Sequence, residues 1–362
     1  MNPCVVLALL VQCYPATDSI IRGVYLNPYQ TNNLDYLEEI FSKADSGLIN
    51  AIVVDFKSDY GFLTYGSKVE LAKKIGAIKK HIDVHHLVES ASQHNLKLIA
   101  RIVCFRDNYL SRYKKFGIRN DSGELWIDNK DMAWTNPFDE KVHDYLLTVT
   151  KEIVDLGIKS IAYDYVRFPT DGEVARIRLT HVKGSRVDAI ARFLKKVNTE
   201  VDVEIGICVF GFSIWQKLRA EGQDIERLGE FIDVLYPMLY PSHFSRNFKN
   251  EETENWRNYW IYYDSAKKAS RMLPPGTKVV PFVQSFEYRA KNFNADYVFS
   301  QMNGALSGGA HGFVIWNARS DYSICWRALD WARNSVLRRY VQMSQDNRMR
   351  AAGHRYQDKP LP

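Results

Sequence analysis

Cysteine is scarce and follows no pairing pattern. The chain of 362 residues has five, Cys4, Cys13, Cys104, Cys208 and Cys325, an odd number without CxxC or histidine at ligand spacing. Neither a disulfide framework nor a zinc site is legible in them. Cys104 and Cys208 fall in apolar, strand-like runs, where a free buried thiol is the ordinary outcome. Long hydrophobic runs are lacking too: the apolar stretch from Val5 to Val11 is too short to cross a bilayer, so no integral membrane span is expected. No GxGxxG or Walker loop follows any strand-like run, which argues against an open nucleotide-binding sheet. No GxSxG or metal motif supports a barrel esterase or lyase. The net charge of +6 is mild, and no basic run is interleaved with aromatics, so nucleic acid is not an expected partner. No metal or organic cofactor is implied.

What is present is ordinary globular composition, 46% hydrophobic and 25% charged, with enough length for a large core. Aromatics are plentiful: 21 Tyr, 18 Phe and 8 Trp. Sugar-binding clefts use such rings, and large cores use them equally. The first 19 residues carry an apolar segment followed by Ala16, the pattern of an export signal or lipoprotein leader, although no basic residue precedes it and Gln12 fits a lipoprotein box poorly before Cys13. An exported protein (periplasmic, extracellular or lipid-anchored) is the expectation, with a cytoplasmic one as the alternative. From about residue 343 to 362 the chain turns polar and reads as a disordered tail.

Between these ends, β-rich runs recur at residues 20–29, 50–59, 97–105, 159–169, 203–212, 234–241, 278–288 and 311–322. They are continuous and rich in Val, Ile and aromatics, as in a parallel sheet buried on both faces. Helical periodicity follows most of them, for example "NNLDYLEEIFSKAD" before Gly47 and "PFDEKVHDYLLTVTKEIVDLG", which opens near Pro137 and stops at Gly157. Eight strand–helix alternations predict an α/β protein, a single (β/α)8 TIM barrel over residues 20–342, expected to be monomeric.

In such barrels the site lies at the carboxyl ends of the strands. The second run ends "VVDFKSDYGFLTY", where period-two alternation puts Asp55, Lys57 and Asp59 on one side with Val53, and Asp55 and Lys57 are expected to pair. They close the rim as a structural ion pair or contact substrate. The fourth run, "KSIAYDYVRFP", places Asp164 in phase with Ala162 and Val166 and predicts a carboxylate over the barrel axis, held ionised by Arg167. The sixth run supplies Tyr240 and His243, the seventh Gln284 and Glu287, and the eighth Trp316 and Asn317. A long segment after the third run, roughly 106–136, holds Trp126 and Trp134 and reads as an aromatic cleft wall.

The blocks "AIVVDFKSDYGFLTY", "IAYDYVRFPTDG", "VLYPMLYPSHF", "VPFVQSF" and "HGFVIWNA" together resemble a bacterial family of TIM-barrel glycosyl hydrolases, once a domain of unknown function and grouped with the α-amylase-like glycosidases. The resemblance spans about residues 21–331 and implies a fold and a reaction class rather than a substrate. It has one departure. Where A-D-V-F-G is expected in many relatives, this chain has "ICVFG", which puts Cys208 where a carboxylate is expected to stand. Should that carboxylate be half of the catalytic pair, the resemblance implies an altered site.

Glycoside hydrolysis generally uses two carboxyl groups. Asp164 is the expected nucleophile or transition-state stabiliser, with Glu287 or Asp55 as its partner. Lys57, Arg167, Tyr240, His243, Gln284, Trp316, Asn317, Trp126 and Trp134 are the expected substrate contacts, and a poly- or oligosaccharide is the expected partner. The alternative is a non-catalytic carbohydrate-binding or cell-envelope protein with a degenerate glycosidase site.

Overall fold

The computed structural model describes residues 20–334; the leader and tail segments read from the sequence lie outside the described residues. Eight parallel strands close on themselves. They are β1 (Ile21–Leu26), β2 (Ala51–Lys57), β3 (Lys97–Val103), β4 (Ser160–Asp164), β5 (Glu204–Phe210), β6 (Val234–Met238), β7 (Phe282–Gln284) and β8 (Gly312–Trp316). Each pairs with its neighbours in sequence, and β1 closes the ring by pairing with both β2 and β8. This is the predicted single (β/α)8 barrel.

Period-two alternation divides the strands' side chains between two cores. Val53, Ile99, Ala162, Cys208, Tyr236 and Val314 fill the barrel interior. Their neighbours Ile52, Val54, Ile102, Tyr163, Ile207 and Ile315 pack outward under the helices. Each such aliphatic side chain taken out of water contributes roughly 1.5–3 kcal/mol, which is why the register is unambiguous. One interior layer requires a glycine: a Cβ on Gly206 of β5 would lie 2.4 Å from the Tyr236 ring of the neighbouring strand β6.

The helices are α1 (Leu34–Asp45), α2 (Val84–Gln93), α3 (Glu140–Asp155), α4 (Arg186–Glu200), the short turn α5 (Ile225–Leu228), α6 (Glu254–Met272), α7 (Ala295–Ser307) and α8 (325–334). Most start where the sequence supplies a side-chain acceptor for the free amides of the first turn. Asn33, Asp83, Asp139, Thr253 and Asn294 act this way, and Ser185 with Asp188 completes a capping box on α4. α3 therefore opens at the Asp139 cap rather than at Pro137, and it ends before Gly157 (φ 99°).

One region is more elaborate than its sequence pattern suggests. Between β2 and β3 the chain adds a strand (Leu63–Tyr65) antiparallel to β2, a helical turn (Glu70–Lys74) and a further strand (Ile78–Ile82) before entering α2. Its last strand, "IKKHI", is charged and exposed at its two lysines, so it carries little of the apolar signal of the barrel strands. This excursion builds one wall of the barrel mouth.

Candidate active site

Asp55 stands in the interior row of β2, Arg101 in that of β3 and Asp164 in that of β4; Asp55 pairs with Arg101, whereas Asp164 pairs with Val103, two residues further along β3. All three side chains rise at the carboxyl end of the barrel, where Arg101 becomes the hub. Its Nη1 donates to Asp55 Oδ1 at 2.7 Å and its Nη2 to Asp59 Oδ1 at 2.8 Å. Asp164 Oδ2 receives Nε at 2.9 Å and lies 2.7 Å from Nη2. Asp55 and Asp164 are buried, whereas the side chain of Asp59 is 40% exposed. One cation thus serves three carboxylates, which leaves the cluster with an excess of negative charge.

The two buried carboxylates have different hydrogen-bond surroundings. Burial raises the Asp55 pKa to about 6; Arg101 opposes the rise and Asp59 adds to it. Its second oxygen accepts from the Tyr25 hydroxyl at 2.8 Å. Asp164 meets a charge-complementary cage instead, with Arg101 on Oδ2 and the Tyr165 amide on Oδ1 at 2.6 Å. That amide is aimed by an unusual backbone: Tyr165 has φ 48°, a left-handed conformation that costs a bulky residue free energy and is typical of functional sites. The same kink ends the β4 alternation, so Val166 joins the outer core rather than the interior row. Around Arg101, burial lowers its pKa but three carboxylates outweigh this and raise it well above the ordinary value. Trp316 covers the hub, 5.2 Å from the guanidinium and 4.0 Å from the Tyr25 ring.

Two cavities open above this cluster and meet at Asp59 and Trp316, which line both. The first, of about 880 Å³, reaches from Asp55 across Tyr29, Tyr60, Phe62 and Tyr109 to Lys79 and Arg112. The second, of about 530 Å³, holds Asp164, Arg167, Tyr240, His243, Phe286 and Lys130 among its lining. Aromatic faces with a few convergent polar groups are what a sugar-binding cleft requires.

Several sequence expectations need correction. Lys57 does not pair with Asp55. The β2–β3 register slips between Asp55 and Lys57, and the Lys57 ammonium is fully buried against Asp107 (2.8 Å) and the Val103 carbonyl (2.8 Å), where it anchors the loop after β3. Arg167 is not the partner of Asp164; Arg101 holds that place. Glu287 is exposed in the turn beyond β7 and lines neither cavity. Gln284 is fully buried and organises backbone, accepting from Ser242 N and donating to the Phe286 and Tyr288 carbonyls. Asn317 does similar work, bridging Ser285 O and Arg319 N. Trp126 is buried and binds the Glu173 carbonyl, away from the cleft. Trp134, by contrast, does line the second cavity as a cleft-wall residue would, although its ring is buried and its indole N–H donates to Asp128 at 3.0 Å. Cys208 sits in the interior row beside Tyr236 and lines neither cavity; burial holds its thiol well above the ordinary pKa.

Arg101, Tyr25 and the Asp59 contact escaped the site assignment. Arg101 was findable: a lone arginine in phase with Ile99 inside "KLIARIVCF" has the same signature as Asp164, a charge at the end of an apolar run. Nothing local marks Tyr29, Tyr60 or Phe62, because the excursion that gathers them is assembled by tertiary contacts. Among the described residues, no cluster of three or more His, Cys, Asp or Glu side chains is arranged to hold a metal ion.

A closed parallel barrel with its acidic cluster at the carboxyl rim defines the class, and the sequence specifies the family. Residues 23–322 match the family described as "Putative glycosyl hydrolase domain", and the chain belongs to it. No curated protein matches the chain. Among solved structures, a hypothetical protein from Ruminiclostridium thermocellum is 28% identical over 51% of this chain and 96% of its own, with a TM-score of 0.48. The glycoside hydrolase domain of PgaB (BpsB) from Bordetella bronchiseptica is 9% identical, with a TM-score of 0.60 over 86% of this chain and 98% of its own. The spore cortex-lytic enzyme SleL of Bacillus cereus is 12% identical, with a TM-score of 0.51 over 86% of this chain and 73% of its own. At these identities the last two likenesses concern the fold.

Proposed function

We propose that this chain hydrolyses glycosidic bonds of a poly- or oligosaccharide laid across the barrel mouth over Trp316. Asp164 is the nucleophile, or the fixed negative charge facing the oxocarbenium-like transition state, and Asp55 is the acid that protonates the leaving oxygen. The observation that carries this reading is the shared hub. A single guanidinium fixes both carboxyl groups at the cleft floor, one in a cage of hydrogen-bond donors and the other pushed to about 6 by burial. A carboxyl group whose proton is held by burial suits the acid role, and a second carboxylate fixed by hydrogen-bond donors suits the nucleophile role. Arg101 acts as a positioning residue, holding the pair in one geometry while Trp316 shields it from water.

The test is hydrolysis of a panel of glycans by wild type, Asp164→Asn and Asp55→Asn, with melting temperatures taken on the same preparations. Turnover should collapse in both variants while each stays folded. The rival reading, a carbohydrate-binding protein without turnover, draws on one feature of the same cluster: all three mouth carboxylates are engaged by Arg101. Wild type that binds glycans and cleaves none of them decides for the rival.

A further inference from the structure

Three buried arginines line the second cavity; Arg101 and Arg106 are paired with carboxylates, and the situation of the third, Arg167, is the reverse of Arg101's. It is only 8% exposed and lines the second cavity. Three rings hold the guanidinium, those of Phe210 at 4.5 Å, Trp134 at 4.9 Å and Tyr165 at 5.1 Å. Its Nη1 donates to the Phe168 carbonyl at 3.0 Å and to Thr170 Oγ1 at 3.3 Å. Among the described residues, Nε and Nη2 have no hydrogen-bond partner and no carboxylate comes within ion-pair distance of the group. The nearest acids are committed or stand off: Asp164 to Arg101, Asp128 to Arg106, while Asp171 lies on the cavity wall beyond ion-pair reach. Burial accordingly moves the Arg167 pKa down, whereas the carboxylates move that of Arg101 up.

A buried, rigidly stacked cation without a counter-ion is costly unless a ligand supplies the anion. The free edge here is the Nε–Nη2 side of the fork, whose two parallel donors match the two oxygens of a carboxylate. Resting on the glycosidase reading of the same cleft, we infer that Arg167 is the carboxylate subsite of an acidic sugar. The natural glycan carries a uronic acid or similar carboxylated ring in the second cavity, next to the residue cleaved at Asp164. Stacking against three rings fixes the fork before the ligand arrives, so little side-chain entropy is lost on binding. Lys130 and His243 face the same cavity and suit the ring's remaining oxygens as hydrogen-bond donors.

The experiment measures binding, so it does not depend on turnover. Sulfur-linked oligomers of glucuronic and galacturonic acid, which resist hydrolysis, are titrated calorimetrically into the full chain beside their carboxyl-reduced and sulfated counterparts. A bidentate charge-assisted contact should make one acidic oligomer bind about tenfold to a hundredfold tighter than its reduced form. Arg167→Met should abolish that difference, and Arg167→Lys should keep only part of it, since a point charge lacks the fork. Equal binding of acidic and reduced forms, a preference that survives Arg167→Met, or tighter binding of the sulfated oligomer overturns the inference. Should Arg167→Met fail to fold by circular dichroism, the wild-type comparison and Arg167→Lys still decide. Preference for the acid without hydrolysis of any oxygen-linked glycan sinks the glycosidase reading alone; hydrolysis of neutral glycans with no charge preference sinks the subsite alone.

Discussion

Of the three buried arginines at the barrel mouth, Arg101 and Arg167 make the widest contrast: both stand beside aromatic rings, and they differ in what neutralises them. Arg101 is over-supplied, with three carboxylates on its five N–H groups; Arg167 has two neutral oxygens and three ring faces. The first arrangement is complete without a ligand and fixes a geometry. The second is incomplete on its own, which is the mark of a position that awaits something from outside. Burial alone therefore does not separate a structural charge from a functional one; the inventory of partners does.

The sharpest way to break the comparison is to remove the over-supplied cation. Arg101→Met strands buried carboxylates, so urea denaturation at neutral pH should show a loss of about 3–5 kcal/mol, with activity lost as well. The stability loss should shrink towards pH 4, where protonation of Asp55 lowers the uncompensated charge. Next in size are the carboxylates. Asp55→Asn should reduce glycan hydrolysis by about 10²–10⁴-fold, the usual contribution of a general acid, with a smaller effect on melting temperature.

The pH dependence sharpens the same point. Because the folded Asp55 titrates near 6 and the unfolded one near 3.8, the folded chain keeps a proton through that window which the unfolded chain has already released. The Asp55 contribution to stability therefore falls as pH rises from about 4 to about 6 and levels off above it. Urea midpoints for wild type and Asp55→Asn should lie closest at the acid end, where both side chains are neutral, and separate as pH rises to about 6 with wild type losing stability relative to the variant; the hydrolysis rate should decline above about pH 6 in wild type only. For Arg167, exchange of the guanidinium for an apolar side chain of similar length should be nearly neutral, so Arg167→Met is expected within about 1 kcal/mol of wild type in denaturation while the acidic-sugar preference disappears. The smallest effect belongs to Glu287→Gln, an exposed change expected within about 0.5 kcal/mol and without consequence for hydrolysis.

How far the site was legible in the sequence follows from where each signal arises. Asp164 and Asp55 were visible because a charge closing an apolar strand breaks a strong local pattern, and strand alternation says which face it takes. Arg167 was visible as a residue and misread in its pairing, because the left-handed turn at Tyr165 resets the side-chain directions just before it. Lys57 was misread for a related reason, a register slip that alternation cannot anticipate. Trp126 and Trp134 show the ambiguity of aromatics: both loop tryptophans read as a cleft wall, yet Trp126 is a buried support of the loop's own fold while Trp134, also buried, lines the second cavity.

The sequence by itself determined the eight strands, their inward and outward faces and hence the closed barrel, because these depend on hydrophobic periods that repeat within a few residues. Helix starts were equally local, set by capping side chains one turn away. The tertiary structure alone decided which charge answers which. Asp55 and Arg101 are 46 residues apart, and Arg101 and Asp164 are 63 residues apart, in the chain. Their meeting depends on barrel closure and strand register, and no spacing within one segment encodes it. A partner is chosen by distance and by desolvation, and both exist only once the barrel has closed.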